Sequence, residues 1–465
     1  MRRSALFVLG AVTAALACAT PAAAEVRHLE YRVGPIEVEP YQVRQNGATV
    51  DIPKPDVDGA ITAMDVDLVD ADGSEVPIRR LMLHHIVFSN LGPVFGAKQD
   101  ATCDSILDLD SVTRIPGRLE RFYAAGEERA TLDLPPGYGY PVRGDDRWTL
   151  TWMVMNHRAR TDRAFIRYRI TYDTDAAALT PVKPVWLDVR NCRADPVYDV
   201  PGGGRPGSTD VQTADWTSPE PVRVIAAGGH VHGGGRELRL SEPDCGDRTL
   251  ADVTPTWGRR SHPFYNVRPV LHEPGPVHMR GFASAAGLPL GAGQRLRLSS
   301  VYDAERPHTR VMGIMIAFVA PASPGQPEGC APLPGDVAYE PQPDGRRAPP
   351  RVTVPLTGLD AAGRARTIQG PPGRLRRAGR RATVTVRNFS FSRPNLSVAP
   401  GTTVRWAFQD PVLHDVTLAS GPQGFSSPHH LTGGRFEQRL TRPGTYKLFC
   451  SLHPVLMTER IVVRR

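Results

Sequence analysis

Lysine is nearly absent from this chain: four Lys stand in 465 residues, against a combined Lys and Arg total of 56. Helical periodicity is equally scarce. Gly (44) and Pro (45) together make nearly a fifth of the residues, which excludes long helices and favours short strands joined by turns. No stretch after residue 25 approaches the ~20 apolar residues that a membrane-spanning helix needs. Charged residues (22%) are too few, and hydrophobic residues (40%) too many, for a disordered chain. The length suggests about three domains.

The first residues carry an address. Met1-Arg2-Arg3 is basic, Ala5 to Ala19 is apolar and small, and Ala22-Ala23-Ala24 precedes Glu25. This pattern reads as a secretory signal peptide over residues 1–24, and a mature chain that is secreted, whether extracellular, periplasmic or held at the cell surface. The net charge of +8 is unevenly spread. Residues 346–381 hold ten Arg and one Asp, which leaves the rest of the mature chain slightly acidic. Nucleic-acid binding would need that charge on a folded face with aromatic neighbours. The Gly and Pro around it point instead to a solvated linker that can touch an anionic cell surface.

Alternating apolar and polar residues mark strands at Ile61–Val69, Leu81–Phe88, Trp148–Met155 and Phe165–Thr171, then again at Val222–Ala227, Leu296–Val301 and Met312–Val319. The reading is all-β, with packed sheets. Composition divides the mature chain into residues 25–180, 181–332, a Pro/Gly/Arg-rich linker over 333–381, and a compact unit over 382–465. Beyond the signal, five Cys remain. Two disulfides among Cys103, Cys192, Cys245 and Cys330 allow three connectivities, and Cys450 is left over.

Cys450 stands in Cys450-Ser451-Leu452-His453-Pro454-Val455-Leu456-Met457, and His414 follows a strand upstream. A thiolate, two imidazoles and a thioether form the donor set of a blue-copper centre. Soft sulfur favours Cu(I) and imidazole accommodates Cu(II), so such a site moves electrons without doing bond chemistry. With Tyr446-Lys447-Leu448-Phe449-Cys450 and Pro400-Gly401-Thr402-Thr403-Val404-Arg405-Trp406, this unit resembles the cupredoxin family. The resemblance implies a Greek-key β-sandwich with His414, Cys450, His453 and Met457 as ligands. His429-His430, in a Ser- and Pro-rich loop, reads as a surface turn.

Three further histidine features lie upstream. His230 and His232 alternate along a strand and share one face. The adjacent His84 and His85 face opposite ways on a flat strand, and bind one metal only where the strand twists or bulges. His157 follows the strand ending at Met155. His262 and His308 read as ordinary. These features resemble the ascorbate-dependent two-copper monooxygenases of the peptidylglycine- and dopamine-hydroxylating kind. They resemble still more closely secreted proteins of the stress up-regulated nodulin type. The likeness is carried by His84-His85, by Tyr123–Gly126 and Leu134–Val142 leading to His157, and by His230-x-His232 followed by Val311-Met312-Gly313-Ile314-Met315.

This second resemblance implies two antiparallel, jelly-roll-like sandwiches with copper sites facing each other across a cleft. One site would be His84, His85 and His157, storing an electron. The other would be His230, His232 and Met312, with Met315 as fallback, carrying out catalysis on dioxygen. With the cupredoxin unit the expectation is three coppers per chain. Gly228, Ile314 and Ile316 stand where the peptidylglycine enzymes carry substrate-gripping Arg, Asn and Tyr, so a small or apolar substrate is expected. Two functions follow from the sequence: a secreted copper monooxygenase fed from its own type 1 domain by an external electron donor, or a non-catalytic protein that handles copper or transfers electrons.

Overall fold

The computed structural model of the protein describes residues 25–94, 96–102, 119–190, 196–326 and 329–465. The signal-peptide reading and Cys103 and Cys192 fall outside the described residues. Cys245 and Cys330 are joined in a disulfide, and Cys450 is the free cysteine among the described residues. No helix of the described residues is long and apolar enough to cross a membrane.

The architecture is all-β. A six-stranded sheet containing Val26–Val38, Asp162–Asp173 and Gly59–Val69 faces a four-stranded sheet of Val43–Val50, Arg147–Asn156, Leu81–Gly92 and Glu120–Gly126. Phe88, Phe122, Trp148 and Tyr168 fill the space between them. A five-stranded sheet centred on Val222–Val231 and Gly313–Pro321 packs on a four-stranded sheet through Leu238, Leu240, Leu298 and Tyr302. The last pair of sheets encloses Trp406, Phe408, Tyr446 and Ile461. In this third sandwich Arg381–Arg387 pairs parallel to Thr402–Phe408, and Asn395–Val398 parallel to Thr458–Val463, so its sheets are mixed. Every strand expected from alternation lies within or across a strand of the structure.

One strand shows why the first two sandwiches are held together. Along Gly313–Pro321, Met315, Ala317 and Val319 enter the second sandwich's own core. The alternate residues Ile314, Ile316, Phe318 and Ala320 join the hydrophobic cluster of the first sandwich. Both faces of this strand are apolar because one covers a core and the other an interface. The Arg-rich segment is likewise held against its neighbours rather than running as a solvated tether. Phe282 pairs with Tyr339, Trp257 bridges to Arg346, Arg306 donates to the Val352 carbonyl, and the Tyr41 hydroxyl accepts from the Ala365 amide. All ten arginines of residues 346–381 nevertheless stay exposed.

Candidate metal centres

The strand Leu81–Gly92 carries a register shift between Leu83 and His85 against its partner Arg147–Asn156. A bulge sets two residues against one and re-aims a side chain, so the adjacent imidazoles of His84 and His85 turn toward each other, 4.8 Å between ring centroids. From the other sandwich, the His232 ring comes within 5.1 Å of the His84 ring and 4.9 Å of the His230 ring. His84, His85 and His232, all within the interior, offer ligand atoms within 4.8 Å of one another. The grouping therefore differs from two separate trios facing across a cleft. It is made by both sandwiches at their shared interface, and His157 is not in it. Met312 lines the same cavities as His85, His230 and His232, whereas Met315 lies in the second core.

The imidazoles are held by their Nδ1 atoms. His157 Nδ1 lies 3.0 Å from the Pro269 carbonyl, His232 Nδ1 2.8 Å from the Arg310 carbonyl, and His230 Nδ1 3.0 Å from a Glu128 oxygen. The Nε2 atoms of these three rings are buried without a hydrogen-bond partner among the described residues, as are both nitrogens of His85. An imidazole whose Nδ1–H is anchored presents its Nε2 lone pair outward, which is how a metal-ligating histidine is oriented. Orphaned lone pairs in a buried compartment cost free energy, so the residues present fit a metal ion.

Electrostatics agree. Burial, then the neighbouring imidazoles, hold His85 and His232 well below the ordinary histidine range, and burial also lowers His84. Burial alone dominates at His157, lowered to about 4. Neutral imidazole is the form that binds a metal. His230 is the exception: burial opposes its proton, but the Glu128 carboxylate prevails and raises it.

Sequence reasoning missed the second layer of this centre. Glu127 Oε1 lies 2.7 Å from His84 Nδ1 and also contacts His272 Nε2, and the three groups could themselves hold an ion. Burial would raise Glu127, yet His272 and His84 keep it well below the carboxylate range. The signal available was the acidic pair Glu127-Glu128 directly after an apolar strand. Gly126 is part of the same device. A Cβ there would sit 2.4 Å from His230 Cε1, so only glycine lets the two sandwiches bring His85 and His230 this close.

At the other end of the chain His414, Cys450 and His453 form a second group. Cys450 Sγ lies 3.5 Å from His453 Nδ1 and 3.9 Å from His414 Nδ1, and those two nitrogens are 3.2 Å apart. His414 Nε2 is fixed by Asp410 at 2.8 Å. Met457 is fully buried and its carbonyl accepts the Cys450 amide at 3.1 Å. Burial and Asp415 push the thiol well above its usual value. His453, mostly through burial and then His414, falls to about 4. A single thiol with two imidazoles suits a soft or borderline ion, copper above all, rather than a hard cation.

No family model matches the chain, and no curated protein matches it. Among solved structures, a purple cupredoxin from Nitrosopumilus maritimus is 32% identical over 18% of this chain and 99% of its own, with a TM-score of 0.17. A mutant of amicyanin in its Cu(I) form is 27% identical over 19% of this chain and 85% of its own, with a TM-score of 0.18. These likenesses reach less than a fifth of the chain, and the donor set carries the argument instead.

Four other histidines complete the picture. His429-His430 is not a surface turn: His429 is buried, and the His430 backbone bridges to His414 in both directions at 3.1 and 2.8 Å. The ligand strand needs that partner to hold its place. His308 is an interior ion-pair residue, 2.7 Å from Glu273, and His262 caps a short turn by accepting the Phe264 amide.

Two cavities adjoin the first cluster. One, of about 80 Å³, is bounded by His85, His230, Met312, Ile314, Ile316 and Gly228. A Cβ on Gly228 would meet no atom within 4 Å, so that wall is open. The other, about 270 Å³, runs from His84 and His232 to Phe449 and Ser451 beside the Cys450 loop.

Proposed function

We propose that this protein is an exported copper oxidoreductase in which the Cys450 centre passes single electrons to the buried histidine cluster, where dioxygen is used to hydroxylate a small or apolar substrate. His414, Cys450 and His453, with Met457 beside them, would hold a type 1 copper. His84, His85 and His232, with His230 and Met312 close by, would hold the copper of the reacting centre. Copper bound there supplies one-electron chemistry and the activation of dioxygen. The chain's own residues do the rest. Glu127, Glu128 and the Arg310 and Pro269 carbonyls fix the imidazoles, and the apolar wall of Ile314, Ile316 and open Gly228 accepts a substrate without gripping a carboxylate.

The observation that carries this reading is the convergence of imidazoles from two sandwiches on a compartment that extends to the Cys450 loop. Exposed Phe389, whose ring packs 4.8 Å from His453, offers an external electron donor an apolar contact. The Cys245–Cys330 disulfide suits an oxidising compartment outside the cytoplasm, and the exposed arginines suit an anionic surface. A non-catalytic copper handler is favoured by one feature: Gly228, Ile314 and Ile316 offer no side chain that would grip a substrate's carboxylate.

The reading is tested by rapid reduction of the copper-loaded protein. Cys450→Ala is expected to remove the intense visible absorption and to slow electron arrival at the histidine cluster. Unchanged arrival would refute the relay, and oxygen uptake that yields only peroxide with every apolar substrate tried would favour the handler.

A further inference from the structure

Between the two metal-ligand clusters stands Arg310, which touches His232 of one and Asp415, the neighbour of His414, beside the other. Arg310 lies near the end of the short strand His308–Val311, which packs against Thr417–Ser420 of the third sandwich. Its backbone is left-handed, φ +53°, a conformation that a non-glycine residue adopts only when its surroundings impose it. The surroundings are plain. Asp199 accepts the Arg310 amide at 3.0 Å, and also the amide and hydroxyl of Ser426, at 2.7 and 2.8 Å. Thr309 donates to the Leu418 carbonyl at 2.9 Å. The twist turns the Arg310 carbonyl onto His232 Nδ1, 2.8 Å away, and sends the guanidinium the other way. There Nη1 lies 3.7 Å from Asp415 Oδ2 and donates to the Ser427 carbonyl at 3.2 Å.

Asp415 is itself built into the Cys450 centre. It follows His414 in the chain, and its amide faces Cys450 Sγ at 3.5 Å. Its carboxylate accepts the Ser451 amide at 2.6 Å and the hydroxyls of Ser451 and Thr417, each at 2.7 Å. The Arg310 guanidinium and the Asp415 carboxylate form an ion pair across 3.7 Å. A continuous route thus runs from Cys450 through Asp415, across one ion-paired contact, along Arg310, and over one hydrogen bond to His232.

We propose that Arg310 is the electron conduit between the two clusters, its guanidinium engaging Asp415 and its carbonyl holding His232. This rests on the relay reading above, and it moves the point of entry to His232 rather than the His84-His85-His157 trio. One electron leaves a cuprous ion held by His414, Cys450 and His453, which becomes cupric. It reduces a cupric ion held by His84, His85 and His232 to cuprous. No bond forms or breaks, and a one-electron donor outside the chain restores the first ion.

The test uses the full-length, copper-loaded protein and a photogenerated one-electron donor. Its readout is the bleaching of the Cys450-centred absorption and its recovery as the electron moves on. Arg310→Met removes the guanidinium but keeps the carbonyl that orients His232. Arg310→Asn does the same with a residue that tolerates the left-handed backbone, which separates backbone strain from loss of the guanidinium. Both are expected to slow recovery by about tenfold or more, with the visible spectrum and copper content unchanged. Recovery at the wild-type rate in both variants overturns the conduit and leaves the relay standing. A bleach that never recovers in the wild type overturns the relay and the conduit with it. Loss of copper from either cluster in Arg310→Asn also contradicts the proposal, because the side chain would then be holding ligands rather than carrying charge.

Discussion

Glu127→Gln is expected to weaken metal binding at the His84–His85–His232 cluster by about 10–100-fold, while leaving the visible absorption of the Cys450 centre intact. Glu127 is buried with two imidazoles on one oxygen, and its other oxygen accepts the Gly275 amide at 2.8 Å. A carboxylate makes His84 more basic and fixes which nitrogen carries the proton. The amide of glutamine keeps the shape but loses the charge, and its NH₂ group faces an imidazole N–H. Removing one member of a buried charged set costs on the order of 3–5 kcal/mol, so the metal-free variant should also unfold at lower denaturant. Metal titration by competition with a chelator reads the first effect, and urea melts of the metal-free protein read the second. Wild-type affinity in Glu127→Gln would mean that the carboxylate does not orient the ligand.

Acid is expected to destabilise the metal-free protein by several kcal/mol between about pH 6.5 and 4. A histidine whose folded pKa is depressed takes up its proton earlier in the unfolded chain. Its contribution is therefore complete above about pH 6.5 and is lost as pH falls toward the folded value. His157 and His453 are both depressed to about 4, and each contributes roughly 3 kcal/mol over that window. His84, His85 and His232 are depressed as well, by burial first of all. Glu459, raised by burial to about 8, acts in the opposite sense and reduces the slope, whereas His230 and His308, raised by their carboxylate partners, change stability only above about pH 6.5. Urea midpoints across this range measure the net sign. A metal-free protein more stable at pH 4.5 than at about pH 7 would show that the interior imidazoles are already charged.

Much of the Cys450 centre was legible because its ligands are local. Cys450 and His453 share one loop, and the residue types alone point to copper. The bulge that the His84-His85 pair requires was also readable as a condition, and the structure meets it. The union of His84 and His85 with His232 was not readable, because it depends on how two sandwiches dock. The one trace of that docking was the unbroken apolar run Gly313–Ala320, which has no polar face to give to water. Arg310 was hidden for a different reason: its role comes from a backbone twist imposed by Asp199, and nothing in the residues around it spells that out. The burial of His429 was misread because loop composition says nothing about which strand will lie over it.

The account stands on metal held by two clusters of different donor chemistry. Metal analysis of the purified protein, with optical and electron spin-resonance spectra before and after Cys450→Ala, tests this most directly. The account predicts copper at both clusters, with an intense visible band that vanishes in the variant while copper at the histidine cluster stays. A colourless oxidised protein, or zinc at both clusters, would contradict it.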